Sequence, residues 1–569
     1  MRSDHVKEIR HWLHERGLAG FIQPRNDEFL GEYVPESEAR LAWLTGFTGS
    51  AGLAIVLADQ AAVFSDGRYT IQLAEQTDPA IWQRLHMIET KPEAWLAAQV
   101  PQGARIGYDP WLMSANAVAA FSDAGVVMVP SDNPIDAFWQ NRPAPPLAKA
   151  QPHPIQYAGE SAAEKRTRIA ATIAAGGADA ALLTDPHAVA WLLNLRGGDL
   201  PHTPLALATA LLRRDGSVLL FIEPEKIDAE VAAHLGAAVA VVPRNAMAQA
   251  LGTLRGKRVV LDPATAPIRY TQMLGDMGAI TVSGDDPCVL PRALKNPVEQ
   301  DGARAAHRRD ALAMTRFIAW FTREAPRGDL DELSAAAKLR EFRAQAPEFR
   351  AESFSPISGA GEHGAVIHYS ATPASNRPIK PNELYLIDSG GQYPDGTTDI
   401  TRTLWTGPDA PPAEIIERYT RVLAGHIALA RAIFPEGTTG PQLDALARAR
   451  LWEVGLDFDH GTGHGVGSFL SVHEGPAGIS RAGKPVPLQP GMILSDEPGF
   501  YQEGAYGIRI ENLLLVRRCD KFSTPRRFLN FETLTLVPYD DRLIDVSLLD
   551  RPSQAWLADY QAQVRALIG

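Results

Sequence analysis

The 569-residue chain is poor in cysteine and contains no long apolar run. Only Cys288 and Cys519 occur, and two cysteines so far apart make no disulfide framework, which is typical of proteins from a reducing compartment. A membrane helix needs about 18 or more apolar residues in a row. The charged amino-terminal segment, MRSDHVKEIRHWLHERG, also lacks the apolar centre of a signal peptide. We therefore expect a cytoplasmic protein that does not span a membrane.

Positive charge is scarce as well, since the net charge is −12 and no basic cluster is found. Nucleic acids and anionic membranes are therefore poor partners, because both attract proteins through clustered lysine and arginine. Apolar residues make up 45% and charged residues 21%, as in ordinary globular proteins. The length exceeds what one hydrophobic core supports, so we expect three or four domains.

The first half of the chain contains a diverged repeat. GARIGYDP at 103–110 matches GKRVVLDP at 256–263, and LAWLTGFTG around Trp43 matches VAWLLNLRG around Trp191 at a similar spacing. Before each tryptophan come a predicted helix, a glycine and a short strand. This common order favours two copies of one α/β domain over the alternative, a chance similarity between α/β units.

Four local signals follow the first copy. The proline-rich stretch NRPAPPLAKAQPHPIQ at 141–156 predicts an extended connector. SAAE at 161–164 has the capping-box pattern that begins a helix. Pro297 is suited to the first turn of a further helix, and the last residues, SQAWLADYQAQVRALIG, predict a terminal one.

The last third of the chain contains five potential metal ligands, which are Asp388, Asp399, His464, Glu497 and Glu511. Four carboxylates and one imidazole, with no thiolate, do not suit a structural zinc site. They suit a pair of harder divalent ions bridged by carboxylates and water, which lowers the pKa of that water toward neutrality. An isolated acidic residue at a strand end is usually just solvated. The prediction of a metal site therefore depends on all five residues occurring in this order.

Two predicted hairpins support a shared site. LYLID ends in Asp388 and DITRTLW begins with Asp399, with the turn signal PDG between them. MILSDE and IRIENLLLV deliver Glu497 and Glu511 in the same manner. Arg509 lies two residues before Glu511, so both point to one face, and Arg509 can neutralise and orient a carboxylate.

His464 does not belong to a helical zinc motif, although His460 lies four residues before it. The intervening and following residues in HGTGHGVGSF are rich in glycine. Glycine at this density argues against a stable helix and indicates backbone packed closely at a site.

These motifs resemble the M24 metallopeptidase family, and within it the cytosolic three-domain aminopeptidase P form. The resemblance covers nearly the whole chain and is carried by EYVPESEARLAWLTGFTGSAG, SDGRY, VAWLLNLRGGDLPHTP, VIHYS, LIDSGGQYPDGTTDITRT, HGTGHGVGSFLSVHEGP and DEPGFYQEGAYGIRIEN. It implies an α/β and α+β architecture, with two related creatinase-type α/β domains at 1–145 and 158–290. A pita-bread catalytic domain with a helical C-terminal segment would follow at 295–569.

The resemblance also implies roles for the ligands. Asp388 would bind one metal ion, His464 and Glu497 the other, while Asp399 and Glu511 would bridge both. The ions would be two divalent cations, manganese first, with zinc or cobalt as alternatives. Glu497 is also a candidate proton acceptor.

Three histidines correspond to active-site positions of the family, His368 in VIHYS, His473 in SVHEGP and His460 in HGTGH. An imidazole can polarise the scissile carbonyl and move a proton to the leaving amine near neutral pH. The alternative for His460 is that it only supports the glycine loop. For His368 and His473 the alternative is likewise a structural role.

In the first domain, Glu32 and Arg68 match positions that approach the active site in relatives. They would bind a substrate's N-terminal amine or simply form a salt bridge with each other, and with Arg509 they are the candidate substrate-binding residues. A homodimer is expected from the family, and Trp452 is either its anchor or a core residue.

The predicted function is release of the N-terminal residue from peptides with proline in second position. Prolidase, which cleaves X-Pro dipeptides, is the nearest alternative. A non-catalytic pita-bread interaction module is the alternative from another class, but such modules lack the ligands. Creatinase lacks the metals, and methionine aminopeptidase is usually shorter and lacks the duplicated half.

Overall fold

The computed structural model describes residues 2–568, with side chains described from residue 4 onward. The chain forms two compact units, one made of Met1–Pro152 and Ser161–Cys288, the other of His153–Glu160 and Val289–Gly569. Within residues 2–568, none of the helices combines the length and the apolar character needed to cross a membrane. The bounds predicted for three domains stay a prediction.

The first unit begins with a mixed six-stranded sheet in the order β4-β3-β2-β1-β5-β6. The three central strands β1, β2 and β3 are antiparallel neighbours, whereas β5 runs parallel to β1, β6 to β5, and β4 to β3. The elements of this part are α1 (Arg2–Arg16), β1 (Gly20–Pro24), α2 (Arg40–Thr45), β2 (Leu53–Leu57), β3 (Ala61–Ser65), α3 (Thr70–Gln76), β4 (Gln83–His86), α4 (Pro92–Gln99), β5 (Arg105–Tyr108), α5 (Ala115–Asp123), β6 (Val127–Pro130) and α6 (Pro134–Phe138).

A second six-stranded sheet follows, in the order β12-β11-β10-β8-β13-β14. The next elements are β7 (Gln151–Pro152), α7 (Ile155–Ala158), α8 (Ala162–Ala175), β8 (Ala180–Leu183), α9 (Pro186–Leu193), β9 (Leu195–Arg196), β10 (Thr209–Arg213), β11 (Val218–Phe221), α10 (Ala229–Leu235), β12 (Val239–Val242), α11 (Met247–Leu251), β13 (Arg258–Leu261), α12 (Ile268–Asp276) and β14 (Ile280–Ser283). Its strands pair in the same relative directions as those of the first sheet. The predicted repeat of one α/β domain is confirmed, and chance similarity is excluded.

The connector differs from the prediction. Within 141–156, β7 pairs with β9, and α7 forms a short helix that begins after Pro154. Its carbonyl at Ala158 accepts a hydrogen bond of 2.8 Å from Nδ2 of Asn296. The expectation of an extended segment is therefore wrong only from residue 155 onward, where α7 begins, because proline is also well tolerated where a helix begins.

The second unit combines long helices with several antiparallel sheets. Its remaining elements are α13 (Val289–Ala293), α14 (Pro297–Glu324), α15 (Glu332–Arg343), β15 (Ala351–Glu352), β16 (Ile357–Ala360), β17 (Leu384–Ser389), β18 (Gly391–Tyr393), β19 (Gly396–Thr397), β20 (Ile400–Trp405), α16 (Ala413–Ala430), β21 (Ile433–Pro435), α17 (Gly440–Trp452), β22 (Gly463–Gly465), β23 (Glu474–Ile479), β24 (Ile493–Asp496), β25 (Gly499–Gln502), β26 (Tyr506–Arg509), β27 (Asn512–Cys519), β28 (Phe528–Thr533) and α18 (Arg551–Ile568). The sheet orders are β15-β18-β19, β16-β17-β20, β21-β28-β27-β24-β22-β23 and β25-β26.

Helix signals in the sequence are confirmed. Ser161 and Glu164 form the predicted capping box of α8. Pro297 is the first residue of α14, where Asn296 and Glu299 form a second capping box. The terminal helix is α18.

The core of the second unit holds the strands that carry the site. Phe321 of α14 stacks on Tyr385 of β17 with ring centroids 4.5 Å apart, and Phe317 lies against Phe321. All three side chains are fully buried. Burying one phenylalanine stabilises a fold by roughly 1.5–3 kcal/mol, so this contact firmly anchors β17 against the helix.

Candidate active site

The first predicted hairpin is confirmed. Strands β17 and β20 are antiparallel, with Asp388 opposite Thr401 and Ser389 opposite Ile400. Asp399 directly precedes β20, so both carboxylates lie at the same end of the pair. The turn-rich segment between them forms a smaller hairpin of its own, β18 and β19.

The second hairpin brings the two glutamates to the same place. Strands β24 and β27 pair with Asp496 opposite Asn512, so Glu497 and Glu511 lie where the chain leaves one strand and enters the other. A further hairpin, β25–β26, connects β24 to β27. Thr401 joins the two hairpins, because its hydroxyl donates to Oε2 of Glu511 at 2.8 Å and its carbonyl accepts from the Glu511 N–H at 3.1 Å.

His464 lies on the short strand β22, not on a helix. A side chain at Gly463 would place its Cβ 1.9 Å from the Ser495 carbonyl oxygen, so only glycine lets β22 approach β24 this closely. Nδ1 of His464 donates to the Gly465 carbonyl at 3.0 Å, so Nε2 is the ring nitrogen that faces the carboxylates. That nitrogen lies 3.5 Å from Oδ2 of Asp399 and 3.4 Å from Oε1 of Glu497.

The cluster carries more negative charge than the chain itself neutralises. Burial raises the pKa of Asp388 to about 7, with Arg509 opposing and Asp399 and Glu497 adding to the rise. Burial and the neighbouring carboxylates also raise the pKa of Glu511 well above its ordinary value. For His464, burial lowers the pKa, but the hydrogen bond to Asp399 and the charge of Glu497 outweigh it and raise the pKa to about 9.

The donor set fits divalent metal ions. Oδ1 of Asp388, Oδ1 of Asp399 and Oε1 of Glu511 are buried without a hydrogen-bond partner in the described part of the chain. Ligand atoms of Asp399, His464 and Glu511 lie within 4.8 Å of one another. Unpaired buried carboxylate oxygens are costly, and oxygen-rich sites of this kind suit hard or borderline divalent cations.

Arg509 connects the cluster to a chain of hydrogen bonds. It donates to Oδ2 of Asp388 at 2.8 Å and to the Tyr501 hydroxyl at 2.7 Å. The Tyr501 hydroxyl lies 2.8 Å from Nε2 of His460, whose Nδ1 lies 2.8 Å from the Gly461 carbonyl. Because Nδ1 donates to that carbonyl, Nε2 accepts the tyrosine proton. His460 therefore contacts both the glycine loop and Tyr501, which Arg509 links to Asp388 by hydrogen bonds.

Tyr501 is a site residue that the sequence reasoning missed. Burial raises its pKa to about 12, so the hydroxyl keeps its proton at neutral pH. A signal existed in the predicted hairpin, because Gly499 lies opposite Arg509 and Tyr501 follows two residues later on the same face.

Two further histidines lie on neighbouring segments. The ring of His473 packs on that of His464, with centroids 4.3 Å apart at 76°. Burial raises the pKa of Glu497, and the charges of His464 and Arg509 oppose that rise. His368 is half-buried and follows a tight turn at 361–365, where the Gly364 carbonyl lies 1.8 Å from the position of a Cβ at Gly507. This close approach brings the segment against β26, which ends in Arg509.

The remaining predicted residues are Glu32, Arg68 and Trp452. Glu32 and Arg68 belong to the first unit, where Nη1 of Arg68 is 3.7 Å from Oε1 of Glu32. Arg68 also makes a bidentate pair with Asp66, at 2.9 and 2.8 Å. Trp452 is 45% exposed, so the interpretation as a core residue is wrong.

Comparisons with known proteins agree with these features. Residues 301–518 match metallopeptidase family M24, 5–138 and 141–299 each match the creatinase/prolidase N-terminal domain, and 527–569 match the C-terminal region of peptidase M24. The chain is 39% identical to aminopeptidase P2 of Arabidopsis thaliana, over 99% of this chain and 85% of that protein.

Solved structures give the same picture. An X-prolyl aminopeptidase from Caenorhabditis elegans, described as a cytosolic enzyme with a di-nuclear active site, superposes with a TM-score of 0.94 at 32% identity. The match covers 100% of this chain and 96% of that one. A prolidase from Pyrococcus horikoshii is 25% identical with a TM-score of 0.51, and covers only 66% of this chain.

Proposed function

Because the chain belongs to the M24 metallopeptidase family, we propose that it is an Xaa-Pro aminopeptidase, which releases the first residue of peptides that carry proline second. One observation carries the proposal most strongly. Carboxylates from two hairpins and one histidine converge in a buried cluster, within a chain that resembles an X-prolyl aminopeptidase along its whole length. The match to the prolidase covers only 66% of this chain.

Two divalent ions would be held by this cluster, most readily manganese. Asp388 would hold one ion, His464 and Glu497 the other, with Asp399 and Glu511 shared between them. When bound, such ions act as Lewis acids and lower the pKa of water. The unpaired oxygens of Asp388, Asp399 and Glu511 support this assignment.

The side chains around the cluster would orient the substrate and handle protons. A peptide bond to proline has no N–H, so the site must accept a pyrrolidine ring and protonate a hindered nitrogen as it leaves. We assign that work to His368 and His473, and we assign proton acceptance to Glu497. The hydrogen-bonded chain Arg509–Tyr501–His460 would hold Asp388 in place and help to orient the substrate.

Further parts of the proposal concern the rest of the chain. Glu32 and Arg68 would bind the substrate's N-terminal amine, and the exposed Trp452 would anchor a homodimer. We propose domains at 1–145, 158–290 and 295–569, supported by the two sheets of equal strand order. A cytoplasmic location is supported by the cytosolic relative and by the low cysteine content.

The test compares three substrates with the manganese-loaded protein. Arg-Pro-Pro should be cleaved rapidly, Arg-Ala-Ala slowly, and an X-Pro dipeptide no faster than the tripeptide. Equal cleavage of the alanine peptide would refute proline specificity. Cleavage of the dipeptide alone would identify a prolidase, and no cleavage of any substrate would indicate an interaction module.

A further inference from the structure

A buried ionic cluster includes Glu474, the residue that follows His473. Glu474 places one carboxylate oxygen against Nζ of Lys295 and the other 3.2 Å from Nε of Arg292. The side chains of Glu474, Lys295 and Arg292 are only 3%, 2% and 6% exposed. Lys295 is 179 residues away in sequence, so the cluster ties the start of the second unit to the strand that follows His473.

The position of Glu474 relates it to the active site. It is the first residue of β23 and lies opposite Gly465, the neighbour of His464. The two neighbouring side chains make different contacts, because Glu474 reaches Lys295 while His473 packs on the ring of His464.

The charges make a purely stabilising role a poor explanation. Removing three ionic groups from water is costly, and a buried ion pair often stabilises a fold no better than apolar residues of the same size. Such a cluster does, however, fix its carboxylate in one place, since any other rotamer would break its contacts with two buried cations.

We propose that Glu474 is a positioning residue, which Lys295 and Arg292 fix in place so that His473 is held in the orientation needed to protonate the leaving proline nitrogen. The proposal rests on the function given above. It predicts that loss of the Glu474 charge lowers kcat through His473, with no change in the metal ligands and little change in KM.

A double-mutant cycle tests this, with kcat and KM on Arg-Pro-Pro and metal content measured for each protein. Glu474→Gln should lower kcat about tenfold, which is part of the roughly 10²-fold loss expected when His473 itself is replaced by alanine. In a His473→Ala background the same change should lower kcat less than twofold. Equal factors in both backgrounds, or loss of metal from Glu474→Gln, would overturn the proposal.

Two further variants keep the test decisive. Lys295→Met removes one anchor and should show the same dependence on His473, so it replaces Glu474→Gln if that protein does not fold. Asp310→Asn is the matched control, since it removes the buried negative charge that pairs with the buried Arg343. Any loss of kcat that it causes should be the same in both backgrounds.

The failure of the proposal is distinguishable from failure of the proposed function. If the wild-type protein does not cleave Arg-Pro-Pro, the function is wrong. If the wild type cleaves it and His473→Ala retains the full rate, the function stands. The positioning role is then refuted.

Discussion

Replacing Arg509 by methionine should destabilise the metal-free protein more than the metal-loaded one. The guanidinium is 2% exposed and its Nη2 lies 2.8 Å from Oδ2 of Asp388. At an effective dielectric constant of about 20, unit charges at that distance attract by about 6 kcal/mol before desolvation is subtracted. Breaking a buried pair by removing one partner typically costs about 3–5 kcal/mol, which is the loss we expect without metal above pH 7, where Asp388 is charged.

Bound cations would reduce this loss of stability, because they would also neutralise the Asp388 carboxylate. Arg509 would then contribute mainly its hydrogen bond to a charged group, about 1.5–3 kcal/mol. The free energy of unfolding of wild type and Arg509→Met can be measured by urea denaturation, once with chelator and once with excess manganese.

Arg509→Lys is the matched control, since it keeps the charge and loses the planar geometry that also reaches Tyr501 and Thr401. It should lie between wild type and Arg509→Met. A penalty for Arg509→Met that is equal or larger in the metal-loaded protein would refute the idea that Arg509 and the metal ions share Asp388.

The other expectations are tested more simply. Asp388→Ala or Glu511→Ala should lose metal and activity while the far-ultraviolet circular dichroism stays unchanged; full activity after exhaustive chelation would sink the two-ion assignment. His368→Ala and His473→Ala should each lower the rate on Arg-Pro-Pro by roughly 10²-fold at unchanged metal content; full rates would remove these histidines from the chemistry. Trp452→Glu should be monomeric by light scattering if the exposed indole anchors a dimer; a variant that stays dimeric would move the interface elsewhere, and a monomeric wild type would end the dimer proposal.

Local signals explain why much of the site could be predicted from the sequence. Asp388 and Asp399 meet because turn residues separate two strand-forming runs, and hairpin pairing then determines which side chains are neighbours. The glycines around His464 disfavour a helix because glycine loses the most backbone entropy there, and this can be read from the sequence. The two α/β copies were recognisable because matching segments recur at a similar spacing.

Contacts between distant segments could not be derived in that way. The bond between Tyr501 and His460 depends on how a hairpin packs against a glycine loop 41 residues earlier. The ion pair of Glu474 with Lys295 spans 179 residues. In both pairs, the sequence around one residue gives no indication of its partner. Only the tertiary structure shows that the two residues are in contact.

The short helix α7 has a practical consequence for expressing the catalytic unit alone. That unit includes His153–Glu160 although the whole of Ser161–Cys288 intervenes before the chain returns to it. A fragment that starts at Val289 would leave the Asn296 amide without the Ala158 carbonyl, at a cost of about 1 kcal/mol for the lost hydrogen bond. Joining 153–160 to 289–569 through a short flexible linker should therefore give a more stable fragment than simple truncation.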